Sequence, residues 1–181
     1  MALLRLAAIG LALALSWSAA AHEKTDDEKF VSTTVTVGGM VKNPMVLDVE
    51  ALKAMPVTEF GETAMRCSGD RVKYVAEGYR GVLLRDVLDA AQVDDDVRHS
   101  RNYMYVVVNA TDNYPVVFSL HEIRNTPVGD EILVFFEKNG EPLGTREGQI
   151  ALISAGDNSR CGRHVRWLNS IEVHRHEVAS R

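Results

Sequence analysis

The chain has 181 residues, of which 46% are hydrophobic, 25% charged and 7% aromatic, a composition typical of a soluble globular domain. This composition excludes a disordered, collagen-like or coiled-coil protein. Twenty lysines and arginines against 25 aspartates and glutamates give a formal net charge of -5, which disfavours a surface for nucleic acid. A bound anion would therefore have to meet a local cluster of basic residues.

The first 21 residues have the pattern of a signal peptide. One basic residue, Arg5, precedes an apolar run, and small residues at positions 19–21 suit a signal peptidase. We expect cleavage before His22, a mature protein in the periplasm, and no membrane span after cleavage. The leader lacks a twin-arginine pair, so we expect the chain to be exported before it folds and to acquire any ligand afterwards.

The mature chain is expected to contain one domain, over residues 32–175. Residues 22–31 are charged and aperiodic and predict a flexible lead-in, and residues 176–181 form a C-terminal tail. Alternation predicts a strand over 32–37, Asp48 can cap a short helix that ends at Met55, and residues 57–67 are expected to be extended.

A helix is predicted over residues 82–92, because four apolar residues recur there at helical spacing. These residues are Leu84, Val87, Leu88 and Ala91. Further strands are predicted at 103–109, 114–118, 132–136, 149–154 and 169–174. Ser119 and Glu122 have the spacing of a capping box, and Asn139-Gly140 predicts a turn. Since strands outnumber short helices, we predict an α+β fold with a strand-rich, mixed sheet in a single domain.

Two segments carry residues suited to chemistry, and the first surrounds Cys67. Arg66 and Arg71 flank this cysteine, and arginines that face a thiol lower its pKa and favour the thiolate, which binds soft metals. The alternatives are a small buried residue or one half of a disulfide.

The second segment, residues 156–167, is rich in arginine within an acidic protein. Its candidate residues are Asp157, Arg160, Arg163, His164, Arg166 and Trp167. Guanidinium groups bind phosphate or carboxylate, and an aromatic side chain can pack against a ring. The alternative is a solvated basic loop with Trp167 in the core.

In order along the chain, five short motifs resemble the sulfite-oxidase-type, molybdopterin-binding domain family. They are Cys67-Ser-Gly-Asp-Arg71, Gly78-Tyr-Arg-Gly81, Asn139-Gly-Glu-Pro-Leu143, Gly148-Gln-Ile-Ala-Leu-Ile153 and Arg166-Trp-Leu-Asn-Ser-Ile-Glu-Val173. The resemblance runs from about residue 34 to 173 and implies the fold of that family. It also implies that Cys67 falls on the position of the cysteine that binds molybdenum, and that residues 157–167 help to hold the pterin and its phosphate.

Small secreted members of this fold resemble periplasmic proteins that bind a reduced pterin without metal and report it to an inner-membrane partner that controls cyclic-di-GMP. The resemblance therefore implies a pterin sensor or adaptor in which Asp70 replaces the usual Asn. Its expected polar contacts include Arg71, Arg160, Arg163 and His164, with Tyr79 or Trp167 as ring walls.

Two other functions remain open at this point. One is a molybdopterin-dependent oxidoreductase with Cys67 on molybdenum, acting on a small oxo-anion or a sulfoxide. The other is a disulfide-stabilised module that binds only protein. Cys67 and Cys161 are the two cysteines of the chain, and the sequence alone does not establish whether they pair. His174 and His176 are weak metal candidates, because no third ligand is evident.

Overall fold

The computed structural model describes residues 26–68, 71–96 and 99–177. The predicted signal peptide lies outside the described residues, as do positions 22–25 of the lead-in and 178–181 of the tail. Within the lead-in, Asp26–Phe30 form a 3₁₀ turn, and Phe30 packs against Trp167 with ring centroids 5.3 Å apart. Over the described ranges, no helix is long and apolar enough to cross a membrane.

Strands make up most of the regular structure. In chain order they are β1 Val35–Gly39, β2 Met45–Leu47, β3 Val57–Phe60, β4 Thr63–Arg66, β5 Val72–Ala76, β6 Tyr79–Leu83, β7 Met104–Ala110, β8 Pro115–Ser119, β9 Ile132–Lys138, β10 Glu141–Pro142, β11 Ala151–Ser154, β12 His164–Val165 and β13 Leu168–Arg175. The α+β, strand-rich prediction is confirmed.

In the described part of the chain, these strands are connected by three short α-helices, α1 Val49–Lys53, α2 Leu84–Ala91 and α3 Leu120–Asn125. Asp48 caps α1 by accepting a hydrogen bond from the Ala51 amide at 2.8 Å. Ser119 and Glu122 form the predicted capping box at the start of α3. Local capping therefore fixes where two of the helices begin.

The strands form two large sheets and one separate hairpin. The first sheet has the order β2-β1-β13-β7-β8 and is mixed, because β1 and β13 are parallel whereas the other pairs are antiparallel. The second sheet has the order β12-β11-β9-β6-β3, with β10 paired to β9, and is antiparallel. Among the strands that the structure describes, β4 and β5 pair only with each other.

The second sheet is buried on both faces. Along β9, Ile132, Val134 and Phe136 enter the main core, which also contains inward side chains of the first sheet and the apolar face of α2. Leu133 and Phe135 point the other way, into a smaller core. Burial on both faces explains why β9 is a continuous apolar run and does not alternate with polar residues.

The smaller core lies beneath the β4–β5 hairpin. Met65 and Ala76 of the hairpin are buried there with Leu133, Phe135 and Ile153 of the second sheet. A two-stranded hairpin is marginal alone, so its place in the fold depends on this packing. The hairpin in turn carries Cys67 at the end of β4.

The helix at α2 is shorter than predicted, because Val82 and Leu83 belong to strand β6. Strands β5 and β6 were not recognised from the sequence. Gly81 in β6 lies so close to β9 that an added Cβ would approach the Val134 carbonyl oxygen to 2.2 Å. A glycine at such a close backbone approach weakens the sequence signal of a strand.

Candidate functional site

A disulfide joins the two candidate segments. Cys67 directly follows β4, and Cys161 lies in the 3₁₀ turn Arg160–Arg163, with the two Cα atoms 5.1 Å apart. The two cysteines are separated by 94 positions in sequence, so the disulfide closes a large covalent loop. The pairing that the sequence left open is therefore present, and both cysteines are half-buried.

Hydrogen bonds also hold the segment around Cys67 and the late arginine-rich loop in place. The Cys67 amide donates to the Arg71 carbonyl at 3.0 Å, across residues 69 and 70, which lie outside the described residues. The Arg160 guanidinium donates to the Ala64 carbonyl of β4 at 3.0 Å and also to the Ala155 carbonyl. Arg160 thus holds the late loop against the hairpin and uses its donors on the protein itself.

A cavity of about 520 Å³ opens beside the disulfide. Its walls come from the hairpin, the turn after β7, the end of β9, the loop before β11 and the late arginine-rich segment. The lining residues are Met65, Lys73, Tyr74, Asp112, Tyr114, Lys138, Arg146, Glu147, Cys161, His164 and Arg166. A cavity of this volume is large enough for a bicyclic ring.

An ionic network forms one wall of the cavity. Glu147 accepts hydrogen bonds from Lys138 and, at 3.0 Å, pairs with the His164 ring nitrogen, and all three side chains are at least three-quarters buried. Burial alone would raise the pKa of Glu147. The hydrogen bonds and charges of His164 and Lys138 outweigh burial and lower the pKa of Glu147 to about 2.

Two tyrosines supply aromatic surface to the cavity. The Tyr114 hydroxyl donates to the Gly162 carbonyl at 2.9 Å, which fixes a ring that is 41% exposed. The Lys138 ammonium lies 4.5 Å from the centre of the Tyr74 ring. Tyr114 therefore presents a fixed, accessible ring to a ligand, whereas Tyr74 already contacts a cation.

Trp167 lies behind the cavity wall. It is 3% exposed, and its indole nitrogen donates to the Thr145 carbonyl at 2.7 Å. The Trp167 amide donates to the Glu147 carbonyl, also at 2.7 Å. Its backbone has a φ of 51°, which is rare for a bulky residue and is tolerated where surrounding contacts determine the conformation. Trp167 thus holds the loop that carries Arg146 and Glu147.

The other predicted site residues are distributed over several positions. His164 and Arg166 line the cavity, and Arg71 is exposed immediately before β5. Arg163 forms ion pairs with Asp157 and with Glu122 of α3, so the charges of Arg163 and Asp157 are already paired within the protein. Tyr79 is 2% exposed and packs edge-on against Phe135 in the smaller core. Neither Tyr79 nor Trp167 is on the cavity surface as a ring wall.

The sequence patterns do not identify five of the lining residues, Lys73, Tyr74, Lys138, Arg146 and Glu147. Lys73 and Tyr74 belong to β5, which was not recognised as a strand. Arg146 and Glu147 lie in the loop between the motifs at 139–143 and 148–153, and neither motif includes them. The residues of Val72–Ala76 differ in exposure because of how this segment packs on the smaller core. The pattern of apolar and polar residues in the segment is therefore a weak sequence signal of a strand.

Over the residues described up to position 177, the terminal histidines do not form a metal site. His174 stacks on Tyr105 with ring centroids 5.4 Å apart and lies 3.4 Å from Glu172. Throughout the described residues, no group of three or more histidine, cysteine, aspartate or glutamate side chains could hold a metal ion.

The Glu147 network predicts an acid-dependent contribution to stability. Because the folded state lowers the pKa of Glu147 from 4.5 to about 2, its contribution is complete above the unfolded value and is lost as the pH falls towards 2. We expect Glu147→Gln to lower the free energy of unfolding at neutral pH by about 2–3 kcal/mol and to flatten its decline between neutral pH and acid. Urea titrations across this range measure both effects. The exposed Glu141→Gln serves as the control, and equal behaviour of the two variants would contradict the network's role.

The disulfide predicts a large contribution from chain entropy. Closing a loop of this length stabilises by roughly 4–5 kcal/mol in the chain-entropy model. The variant with both Cys67→Ser and Cys161→Ser should therefore unfold at a much lower urea concentration than the oxidised protein. Dithiothreitol should bring the unmodified protein to the same midpoint and leave the variant unchanged. A reductant effect of equal size on both proteins would contradict this assignment.

Comparisons with known proteins agree with this fold. A model of the oxidoreductase molybdopterin binding domain matches residues 22–181. The crystal structure of the sulfane dehydrogenase SoxCD from Paracoccus pantotrophus is similar with a TM-score of 0.62 and 16% sequence identity. That match covers 83% of this chain and 39% of the other, so this chain spans well under half of that structure's length. A sequence comparison with curated proteins gave no match. Because the domain model covers nearly the whole chain, the protein belongs to the oxidoreductase molybdopterin-binding domain family.

Proposed function

We propose that this protein binds a pterin in the cavity beside the disulfide and acts as an extracytoplasmic binding protein, without a metal held by Cys67. The Cys67–Cys161 disulfide is the observation that carries this proposal. It uses the sulfur that the family resemblance assigns to molybdenum, while the cavity beside it keeps the volume for an organic ring.

The residues present do not fit a molybdenum ion held by cysteine. A thiolate is the form of cysteine that binds a metal, and the sulfurs of Cys67 and Cys161 are bonded to each other. The described residues offer no replacement cluster of three ligating side chains.

The cavity does fit the chemistry of a pterin. A pterin is a flat bicycle with hydrogen-bond donors and acceptors around its edge. Tyr114 supplies a fixed aromatic face, and Asp112 and the backbone of the late loop lie at the same cavity. A few polar groups beside an aromatic surface are sufficient to orient such a ring.

The proposed location is the periplasm. Disulfides persist in oxidising compartments and are rare in the cytoplasm, so the Cys67–Cys161 bond supports the location that the leader predicts. We extend the proposal to an inner-membrane partner that controls cyclic-di-GMP, on the resemblance to small secreted pterin-binding proteins. In this role the protein reports the presence of its ligand and does not transform it.

The competing function is a molybdopterin-dependent oxidoreductase. The family description favours it, since the matching domain is named for oxidoreductases. It requires Cys67 to be reduced and free to bind the metal. The two functions therefore differ in the state of one sulfur and in the metal content of the isolated protein.

Analysis of the protein isolated from its own periplasm without reductant tests the proposal. We expect near-stoichiometric pterin, released by denaturation and measured by its fluorescence, and no molybdenum by elemental analysis. A folded Cys67→Ser variant should still bind pterin, although more weakly, because the disulfide no longer holds the hairpin against the late loop, and circular dichroism verifies its fold. Stoichiometric molybdenum that is lost in Cys67→Ser would establish the oxidoreductase instead, and absence of both molybdenum and pterin would favour a protein-binding module.

A further inference from the structure

We infer that the redox state of the Cys67–Cys161 disulfide sets the affinity of the cavity for its ligand, and that Tyr114 couples the two. The oxidised protein holds the ligand tightly, and reduction of the disulfide weakens binding and releases the ligand. This inference rests on the proposed function for the ligand, and it adds the regulation of the same site.

The disulfide is part of the cavity wall. Cys161 is one of the lining residues, and both cysteines are half-buried, so the bond is not enclosed in the core. Exposed disulfides are, as a class, more easily reduced than enclosed structural ones, and regulatory disulfides belong to the exposed class. A ligand that fills the cavity also covers Cys161 and shields its sulfur from a reductant.

Reduction frees the turn at Cys161 more than it frees the hairpin. Met65 and Ala76 keep the hairpin packed on the smaller core whether or not the two sulfurs are bonded. Within the turn Arg160–Arg163, by contrast, no residue is fully buried. The turn therefore depends on side-chain contacts and on the disulfide for its position.

Arginines hold the two ends of this turn. Arg160 donates to two backbone carbonyl groups, and Arg163 pairs with two carboxylates. Neither set of contacts involves the two residues between these arginines, Cys161 and Gly162. The disulfide fixes this central part of the turn, so reduction loosens the centre while the ends stay attached.

Gly162 connects the disulfide to the aromatic surface of the cavity. Its carbonyl accepts the hydrogen bond from the Tyr114 hydroxyl at 2.9 Å, and the Tyr114 ring is 41% exposed. At its other end, Tyr114 is fixed by its amide, which donates to the Asp112 carboxylate at 3.2 Å. When Gly162 moves, the ring loses its outer restraint and must be ordered again by the ligand, which lowers affinity.

The opposite wall of the cavity does not depend on the disulfide. Glu147 is held by Lys138 and His164, and its carbonyl accepts the Trp167 amide at 2.7 Å. These contacts persist after reduction, so the site is weakened and not abolished. We expect reduction to lower the affinity for pterin by about tenfold, within the usual range of coupling between two sites.

The reductant required is a dithiol, such as the active-site pair of a thiol–disulfide oxidoreductase. One thiolate of the dithiol attacks the Cys161 sulfur from the empty cavity, the S–S bond breaks, and Cys67 leaves and takes a proton. The second thiol then attacks the mixed disulfide, which releases Cys161 as a thiol and leaves the reductant as a disulfide. Two electrons and two protons pass to the protein.

The coupling is reciprocal, because a change in affinity with redox state requires an equal effect of the ligand on the redox equilibrium. A ligand that binds the oxidised protein tenfold more tightly stabilises the disulfide against reduction. For a two-electron couple, this tenfold ratio lowers the reduction potential of the disulfide by about 30 mV at saturating ligand.

Parallel measurements of affinity and potential on the mature protein test the inference. The probe is 6-hydroxymethyl-7,8-dihydropterin, titrated by its fluorescence against the oxidised protein and against protein reduced with dithiothreitol. Thiol labelling in dithiothreitol redox buffers measures the potential with and without the probe. We expect about tenfold weaker binding after reduction and a potential about 30 mV lower with the probe.

Variants separate the disulfide from the tyrosine. The variant with both Cys67→Ser and Cys161→Ser should have the affinity of the reduced protein and should not respond to dithiothreitol. Tyr114→Phe keeps the ring and removes its bond to Gly162, so the oxidised protein should bind about threefold more weakly and the redox effect should shrink. Tyr105→Phe, which alters a tyrosine that stacks on His174 and does not line the cavity, is the matched control.

The failure of this inference is distinguishable from the failure of the proposed function. Equal affinity in the two redox states, with an unshifted potential, would overturn redox control and leave pterin binding intact. Failure of the probe to bind even the oxidised protein would overturn both. Loss of the fold on reduction, measured by circular dichroism, would overturn the local release of the turn, and a full redox effect in Tyr114→Phe would overturn the role of Tyr114.

Discussion

One covalent bond organises the functional end of this molecule. The Cys67–Cys161 disulfide connects a hairpin that belongs to neither large sheet with a loop that has little regular structure. Met65 of the hairpin packs on the outer face of the second sheet, so this sheet supports the hairpin from below. The disulfide then fixes the hairpin relative to the late loop. The cavity exists between these two segments, and its charged and aromatic walls depend on both being held in place.

The regular parts of the fold were largely accessible from the sequence. The apolar face of α2, the caps of α1 and α3, and the apolar runs of β9 and β11 each carry a local signal that the structure confirms. The hairpin was not accessible in the same way. The side chains of β5 are ordered by contacts with a sheet that is distant in sequence, and no local period records such contacts.

The candidate site was predicted at the level of segments and less well at the level of residues. Cys67 and the late arginine-rich loop do meet, but within that loop burial and pairing decide which side chains face the cavity. Trp167 supports the wall from behind, and Arg163 is paired with Asp157, whereas His164 and Arg166 reach the cavity. The sequence shows that arginines are concentrated in this loop. It does not show which of these arginines already donate hydrogen bonds to carboxylates or carbonyl groups of the protein.

Peptide mapping under non-reducing conditions determines whether Cys67 is bonded to Cys161 in the protein that carries ligand. Free thiols are alkylated at the moment the protein is harvested from its native compartment, and the peptides are then identified by mass spectrometry. We expect a linked pair of peptides that contains both cysteines and no alkylated Cys67. Recovery of Cys67 as a free or metal-bound thiol in the ligand-loaded protein would contradict the role of the disulfide.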